Sequence, residues 1–160
     1  MLRLSFVTVG EQPLGDKNGR EGASGANRRM RKTRVLLADD HESILAKISD
    51  VLAEEFEIVA TASNGREAVQ QVQRLDPDVL VIDISMPTMD GLQAAAMLRK
   101  QRCRAKIVFL TVHEDEDFVA AAFSAGASGY VVKAQLTTDL VPAIRQALGG
   151  HKYISPRTKR

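Results

Sequence analysis

The sequence predicts an α/β fold in which five βα units wind into one parallel sheet with helices on both faces, (βα)5 and doubly wound. Three observations point to it. From Arg34 onward, short β-branched or aliphatic runs alternate with longer segments of helical period. Most of those runs are continuously apolar, as in parallel strands covered on both faces, rather than alternating. The length of 160 residues suits one domain with extensions, and 44% hydrophobic residues can fill a core.

The expected strands are Val35 to Ala38, Glu57 to Ala62, Val79 to Ile82, Ile107 to Leu110 and Tyr130 to Val132. Only the second has the composition of a sheet edge. Between them, Ile44, Leu45, Ile48, Val51 and Leu52 form one helical stripe, and Leu136, Leu140, Ile144 and Leu148 form another at a spacing of four. Asn64 followed by Glu67 resembles a capping box, and Gly126 and Gly149 sit where helices should stop. Pro142 requires the last helix to begin close before it, near Thr137 or Thr138, because an interior proline costs about 3 kcal/mol. Right-handed crossovers join the units.

Charge and composition exclude several classes. Residues 1–34 hold eight basic and three acidic residues, net +5, while the remainder is net −3. A mildly acidic body does not build a basic groove along a phosphate backbone, so no direct nucleic-acid contact is expected of it. No apolar run reaches the roughly 20 residues that span a bilayer. Cys103 is the only cysteine, which excludes an intrachain disulfide or Cys-rich zinc site and fits a reducing, cytoplasmic compartment. Residues 1–33 read as a basic leader, with Gly10 to Arg29 too polar to repay ordering. Met1 to Val9 is too short for a secretory signal. Met30, just before the first strand, is a possible true start of translation, and residues 150–160 read as a tail or truncated linker.

In an open parallel sheet, ligands bind beyond the carboxyl ends of the strands, where loops converge. Asp39 and Asp40 follow the first strand, Asp83 the third, Thr111 the fourth and Lys133 the fifth. Clustered carboxylates repel and call for a cation. Few oxygen ligands with open positions suit magnesium better than zinc or caged calcium. Neither His41 nor His113 has a partner at ligand spacing. Lys133 offers a compact charge for a phosphoryl oxygen, Thr111 a small hydroxyl, and Asp83 a carboxylate nucleophile. Taken singly, Asp39 or Asp40 could be a helix cap, Asp83 an Asx-turn before Met86-Pro87, Thr111 a cap and Lys133 a solvated lysine. Those readings do not explain the set.

The segments VLLADDHES, VLVIDISMPTMDG, IVFLTVHED and GASGYVVKA together resemble the receiver domain of two-component response regulators, over about Arg34 to Gly150. The resemblance implies a flavodoxin-like sheet of order 2-1-3-4-5 across residues 34–149. It implies Asp83 as phosphoacceptor for a sensor histidine kinase, with Thr111 and Lys133 assisting. Asp40 and Asp83 would ligate Mg2+ directly with the Ser85 backbone carbonyl, and Asp39 through water. Thr111 would turn toward the phosphoryl group and vacate space for the ring of Tyr130, altering the surface of helix four, strand five and helix five. A downstream effector or a second copy would dock there, aided by Ala120, Ala121, Ala122 and Ala125. The module would be a signalling domain rather than an enzyme acting on an outside substrate.

Three departures stand against the family pattern. Ala134 follows Lys133 where many members have proline, and a cis bond there would cost about 2.5–4 kcal/mol without proline's relief. Ser85 and His113 occupy variable positions that tune water access. The tail GGHKYISPRTKR resembles the linker before a LuxR-type helix-turn-helix, with no recognition helix following. Two competing readings are a haloacid dehalogenase-type phosphatase, which wants a carboxylate where Ser85 stands, and a phosphate-independent receiver-like interaction module. No GxGxxG or Walker-type loop follows the first strand, which speaks against a nucleotide or flavin binder.

Overall fold

A computed structural model of the chain describes residues 31–156. Residues 1–30 of the expected leader, Met30 included, lie outside the described residues, as do the last four residues, while Thr33, assigned to the leader, belongs to the first strand. All elements below belong to Thr33–Arg160, one of the two units into which the chain divides. They run β1 (Thr33–Ala38), α1 (Glu42–Leu52), β2 (Phe56–Ala62), α2 (Gly65–Leu75), β3 (Val79–Ile82), α3 (Gly91–Lys100), β4 (Lys106–Thr111), α4 (Glu116–Ser124), β5 (Gly129–Val132), a 3-10 turn (Lys133–Gln135), α5 (Leu136–Leu148) and β6 (Tyr153–Ile154).

The sheet has the order β2-β1-β3-β4-β5-β6, with every neighbouring pair parallel. The five expected strands are present within one residue at most ends, and β2 is an edge, as its composition indicated. The sixth strand was not expected. Its two residues are too few to carry a periodic signal, and its pairing with β5 depends on the turn at Gly149 and Gly150, the latter at φ +83°.

Successive strand residues point to opposite faces and fill two cores. Leu36, Leu80, Ile82, Phe109 and Tyr130 pack on the side that includes Val69 and Val72 of α2, Leu98 of α3 and Ala122 of α4. Val35, Leu37, Val79, Val81, Val108 and Leu110 pack on the side of α1 and α5, against Ile48, Leu52, Leu140 and Ile144.

Local signals were met with three amendments. The side chain of Asn64 accepts from the Glu67 amide at 2.9 Å, but the Glu67 carboxylate turns to the Ser63 amide at 2.7 Å. The complete capping box is at Asp90 and Gln93, opening α3. Leu148 leaves the expected stripe at 40% exposure, because the buried face of α5 ends at Ala147. Helix α5 starts at Leu136, one residue ahead of the expected start, and Pro142 lies inside it. Burial of Leu136, Leu140, Ala143, Ile144 and Ala147 offsets the lost backbone bond.

Candidate functional site

The sheet ladder itself aims the acidic residues. The Asp39 amide donates to the Ala62 carbonyl at 3.0 Å and the Asp83 amide to the Ala38 carbonyl at 2.9 Å, so both stand one step beyond paired strands with fixed backbones. Thr111 ends β4 in register with Val132 of β5, which places Lys133 directly past that row. Four adjacent strands therefore deliver Asp39, Asp83, Thr111 and Lys133 to one edge.

The loop after β3 is held by close backbone approaches. The Gly91 amide donates to the Ile84 carbonyl and the Gly65 amide to the Met89 carbonyl, both at 2.8 Å. A Cβ on Gly91 would lie 2.0 Å from the Asp83 carbonyl oxygen, and one on Gly65 2.4 Å from that of Met89. Only glycine permits this packing at either position. Gly91 is thus a supporting residue that sequence reasoning missed, although its place just after the Asp90 cap was a local signal for it.

Lys133 joins the two buried acids. Its Nζ is 2.7 Å from Asp39 Oδ2 and 3.0 Å from Asp83 Oδ2, with the three side chains 11%, 1% and 5% exposed. Asp83 Oδ1 is buried with no hydrogen-bond partner, and Asp39 Oδ2 has only the short Lys133 contact, outside hydrogen-bond geometry. Desolvation pushes the Asp83 carboxyl above its ordinary range, with Lys133 and the Ile84 amide pulling down and Asp39 adding to the rise. Burial alone would depress Lys133, but its two carboxylate partners outweigh it and hold the ammonium above its ordinary range. The described residues contain no cis peptide bond. Lys133 reaches both acids with Ala134 behind it.

Asp40 is partly exposed and turns toward His41. His41 Nδ1 is 3.1 Å from Asp40 Oδ1 and 3.2 Å from Asp39 Oδ1, while the His41 amide donates to Asp39 Oδ1 at 2.9 Å. The expectation that His41 lacks partners at ligand spacing is therefore corrected. Asp39, Asp40 and His41 offer ligand atoms within 4.8 Å of one another, because the tight turn after β1 folds three consecutive residues together. The hard carboxylates of Asp39 and Asp40 suit magnesium, while Asp83, outside this cluster, presents its unpartnered Oδ1 nearby on the same sheet edge.

Thr111 is fully buried and its Oγ1 accepts from the His113 amide at 3.4 Å. Tyr130 is 1% exposed, and its hydroxyl donates to the His113 carbonyl at 2.7 Å. The ring already lies inward. Desolvation, with the charges of Asp115 and Asp83, pushes its phenol up to about 12. Ser85 is exposed, and its Oγ sits 2.8 Å from His113 Nε2, so its side chain faces the β4–α4 loop. The His113 ring stacks on Phe118 of α4 at 4.0 Å between centroids. This role of His113 was missed, since it depends on loop conformations that bring together residues 28 apart.

Residues 35–145 match the response regulator receiver domain family. The chain is 34% identical over 128 residues to the transcriptional regulatory protein DegU of Brevibacillus brevis, covering 79% of this chain and 54% of that protein. It is 36% identical over 126 residues to the response regulator GacA of Pseudomonas aeruginosa, covering 78% and 59%. The chain thus spans little more than half the length of these relatives. Among solved structures, a LuxR-family two-component response regulator from Aurantimonas sp. SI85-9A1 superposes with a TM-score of 0.75 at 32% identity, covering 79% of this chain and 91% of that one. The receiver domain of a NarL regulator from Mycobacterium tuberculosis gives 0.73 at 28%, covering 76% and 99%. By the family match over residues 35–145 and by these likenesses, this chain belongs to the response regulator receiver domain family of two-component signalling.

Proposed function

We propose that the domain takes a phosphoryl group onto Asp83 from a phosphohistidine of a sensor kinase, and that the resulting charge alters the face formed by α4, β5 and α5. The observation that carries the reading is the buried Asp83 carboxylate, with one oxygen held by Lys133 and the other without any partner. The free Oδ1 attacks phosphorus, the phosphorus–nitrogen bond of the donor breaks with its electron pair on the imidazole, and an acyl phosphate forms. A carboxylate nucleophile carries no proton to remove, so no side chain serves as base.

Lys133 pairs with the arriving phosphoryl oxygens and keeps Asp83 ionised despite its burial. Asp39, Asp40 and Asp83, with the backbone carbonyl of Ser85, would hold Mg2+, which when bound supplies charge neutralisation for the transferring oxygens. The Thr111 hydroxyl turns to the phosphoryl group and gives up the His113 amide. Because the Tyr130 ring is already inward, the phosphorylated state retains that position through a changed His113 loop rather than drawing the ring in.

The surface so affected carries exposed Ala120 and Ala121 on α4 and an apolar pocket of about 300 Å3 lined in part by Val119, Tyr130, Val132 and Ile154. A downstream effector or a second copy of the chain docks there. The only chemistry is the domain's own phosphorylation and dephosphorylation, in the cytoplasm, with no direct nucleic-acid contact by this body. Ser85 at the place where a dehalogenase-type phosphatase needs a second carboxylate supports this over hydrolysis of outside substrates. Asp83→Asn is expected to abolish labelling by a phosphorylated kinase while the circular dichroism spectrum stays that of the wild type. Labelling of the variant at an undiminished rate would overturn the assignment, and chelation of divalent metal is expected to match the variant's loss.

A further inference from the structure

We propose that the strand Tyr153–Ile154 and the adjoining Ser155 form a second element moved by the acceptor site, and that Asp139 of α5 is the positioning residue that couples them. The proposal rests on the phosphoacceptor reading of Asp83.

Asp139 is a carboxylate that phosphoryl chemistry does not use, yet it is only 8% exposed. Its oxygens are taken by hydroxyls. Thr138 Oγ1 donates to Oδ1 at 3.0 Å and Ser155 Oγ to Oδ2 at 2.8 Å. Buried polar groups retained in this way fix one arrangement of the segments that carry them. Here the segments are α5 and the strand that lies on the outer edge of β5.

Ser155 reaches the other way into β5. Its amide donates to the Tyr130 carbonyl at 2.9 Å, and its Oγ accepts from the Val132 amide at 3.2 Å. A relay therefore runs from the Val132 amide through the Ser155 hydroxyl to Asp139. Val132 immediately precedes Lys133, whose ammonium is shared between Asp39 and Asp83. A phosphoryl group on Asp83 places its oxygens beyond the carboxylate, so Lys133 must follow them and shift the peptide that holds Val132. The Val132–Ser155 bond is the longest in the relay and yields first. Without it, the Ser155 hydroxyl is held by Asp139 alone, and the edge strand loosens from β5. Pro156 offers no amide that would extend the pairing.

The test follows amide hydrogen exchange of Tyr153 and Ser155 in the full chain with Mg2+, before and after acetyl phosphate, with the acyl phosphate on Asp83 measured by mass in the same samples. In the wild type, loading is expected to speed exchange at both amides about tenfold, roughly the worth of one hydrogen bond. In Ser155→Ala and Asp139→Asn, both amides exchange rapidly before loading and loading adds nothing, while Asp83 is phosphorylated to the wild-type extent. A merely structural latch would not respond to loading. Adduct formation with unchanged amides in the wild type, or a wild-type response in Ser155→Ala, overturns the coupling and leaves the phosphoacceptor reading standing. Absence of any adduct overturns both. Should Asp139→Asn fail to fold, Ser155→Ala decides the matter.

Discussion

Asp83 is pulled in two directions, and the balance sets how the domain responds to pH. Burial raises its carboxyl above the ordinary 3.8, with Lys133 opposing. Because the folded chain then holds this proton more tightly than the unfolded one, the associated stability is fully present below the unfolded pKa and is lost as pH rises through the folded value. In metal-free buffer, any stability advantage of Asp83→Asn over the wild type should therefore shrink as pH is lowered through the Asp83 pKa in thermal melts. A gap that widens on acidification would contradict the electrostatic description. Lys133 has the opposite chemistry, a raised ammonium whose contribution is intact below 10.5 and lost only above it. Lys133→Ala leaves two buried acids without a cation and should cost about 3–5 kcal/mol in urea unfolding, partly restored by Mg2+. It should also sever phosphorylation from the surface change, read as partner affinity that no longer depends on acetyl phosphate.

Among the elements, α3 and α5 offer the sharpest tests. Asp90→Ala removes a side chain that caps Gln93 at 2.7 Å and should cost about 1 kcal/mol, with the slope of the denaturation curve unchanged. Gly91→Ala should cost about 1–3 kcal/mol through forced displacement at the Asp83 carbonyl, and should slow phosphorylation more than the cap variant does. An equal effect of the two on phosphorylation would mean that the β3–α3 loop does not position the acceptor. Much of this scale was legible in advance. Continuous apolar runs marked the four inner expected strands because both faces of the sheet are covered there, the mixed composition of β2 marked it as an edge, and glycine marked the ends of α4 and α5. What was not legible had physical causes. The strand Tyr153–Ile154 is shorter than any period, the true capping box at Asp90 and Gln93 lay in a loop dominated by Pro87, and Pro142 is tolerated by packing that no local rule contains.

For the whole molecule, the gathering of Asp39, Asp83, Thr111 and Lys133 at one sheet edge was readable because each follows an apolar strand, with the order of those strands supplied by the family resemblance. His113 was not, since its links to Ser85, Tyr130 and Phe118 arise from loop conformations. Magnesium that binds only the folded chain should raise stability by about 2.7 kcal/mol at a hundred times its dissociation constant, an increment lost or much reduced in Asp40→Asn. The central claim, that Asp83 Oδ1 forms a bond to phosphorus, is tested most directly by treating the full chain with acetyl phosphate and Mg2+ and mapping the adduct by peptide mass spectrometry. A single hydroxylamine-labile phosphoryl group on the peptide containing Asp83, absent from Asp83→Asn, is the expected result. No adduct, or one on a different residue, would contradict it.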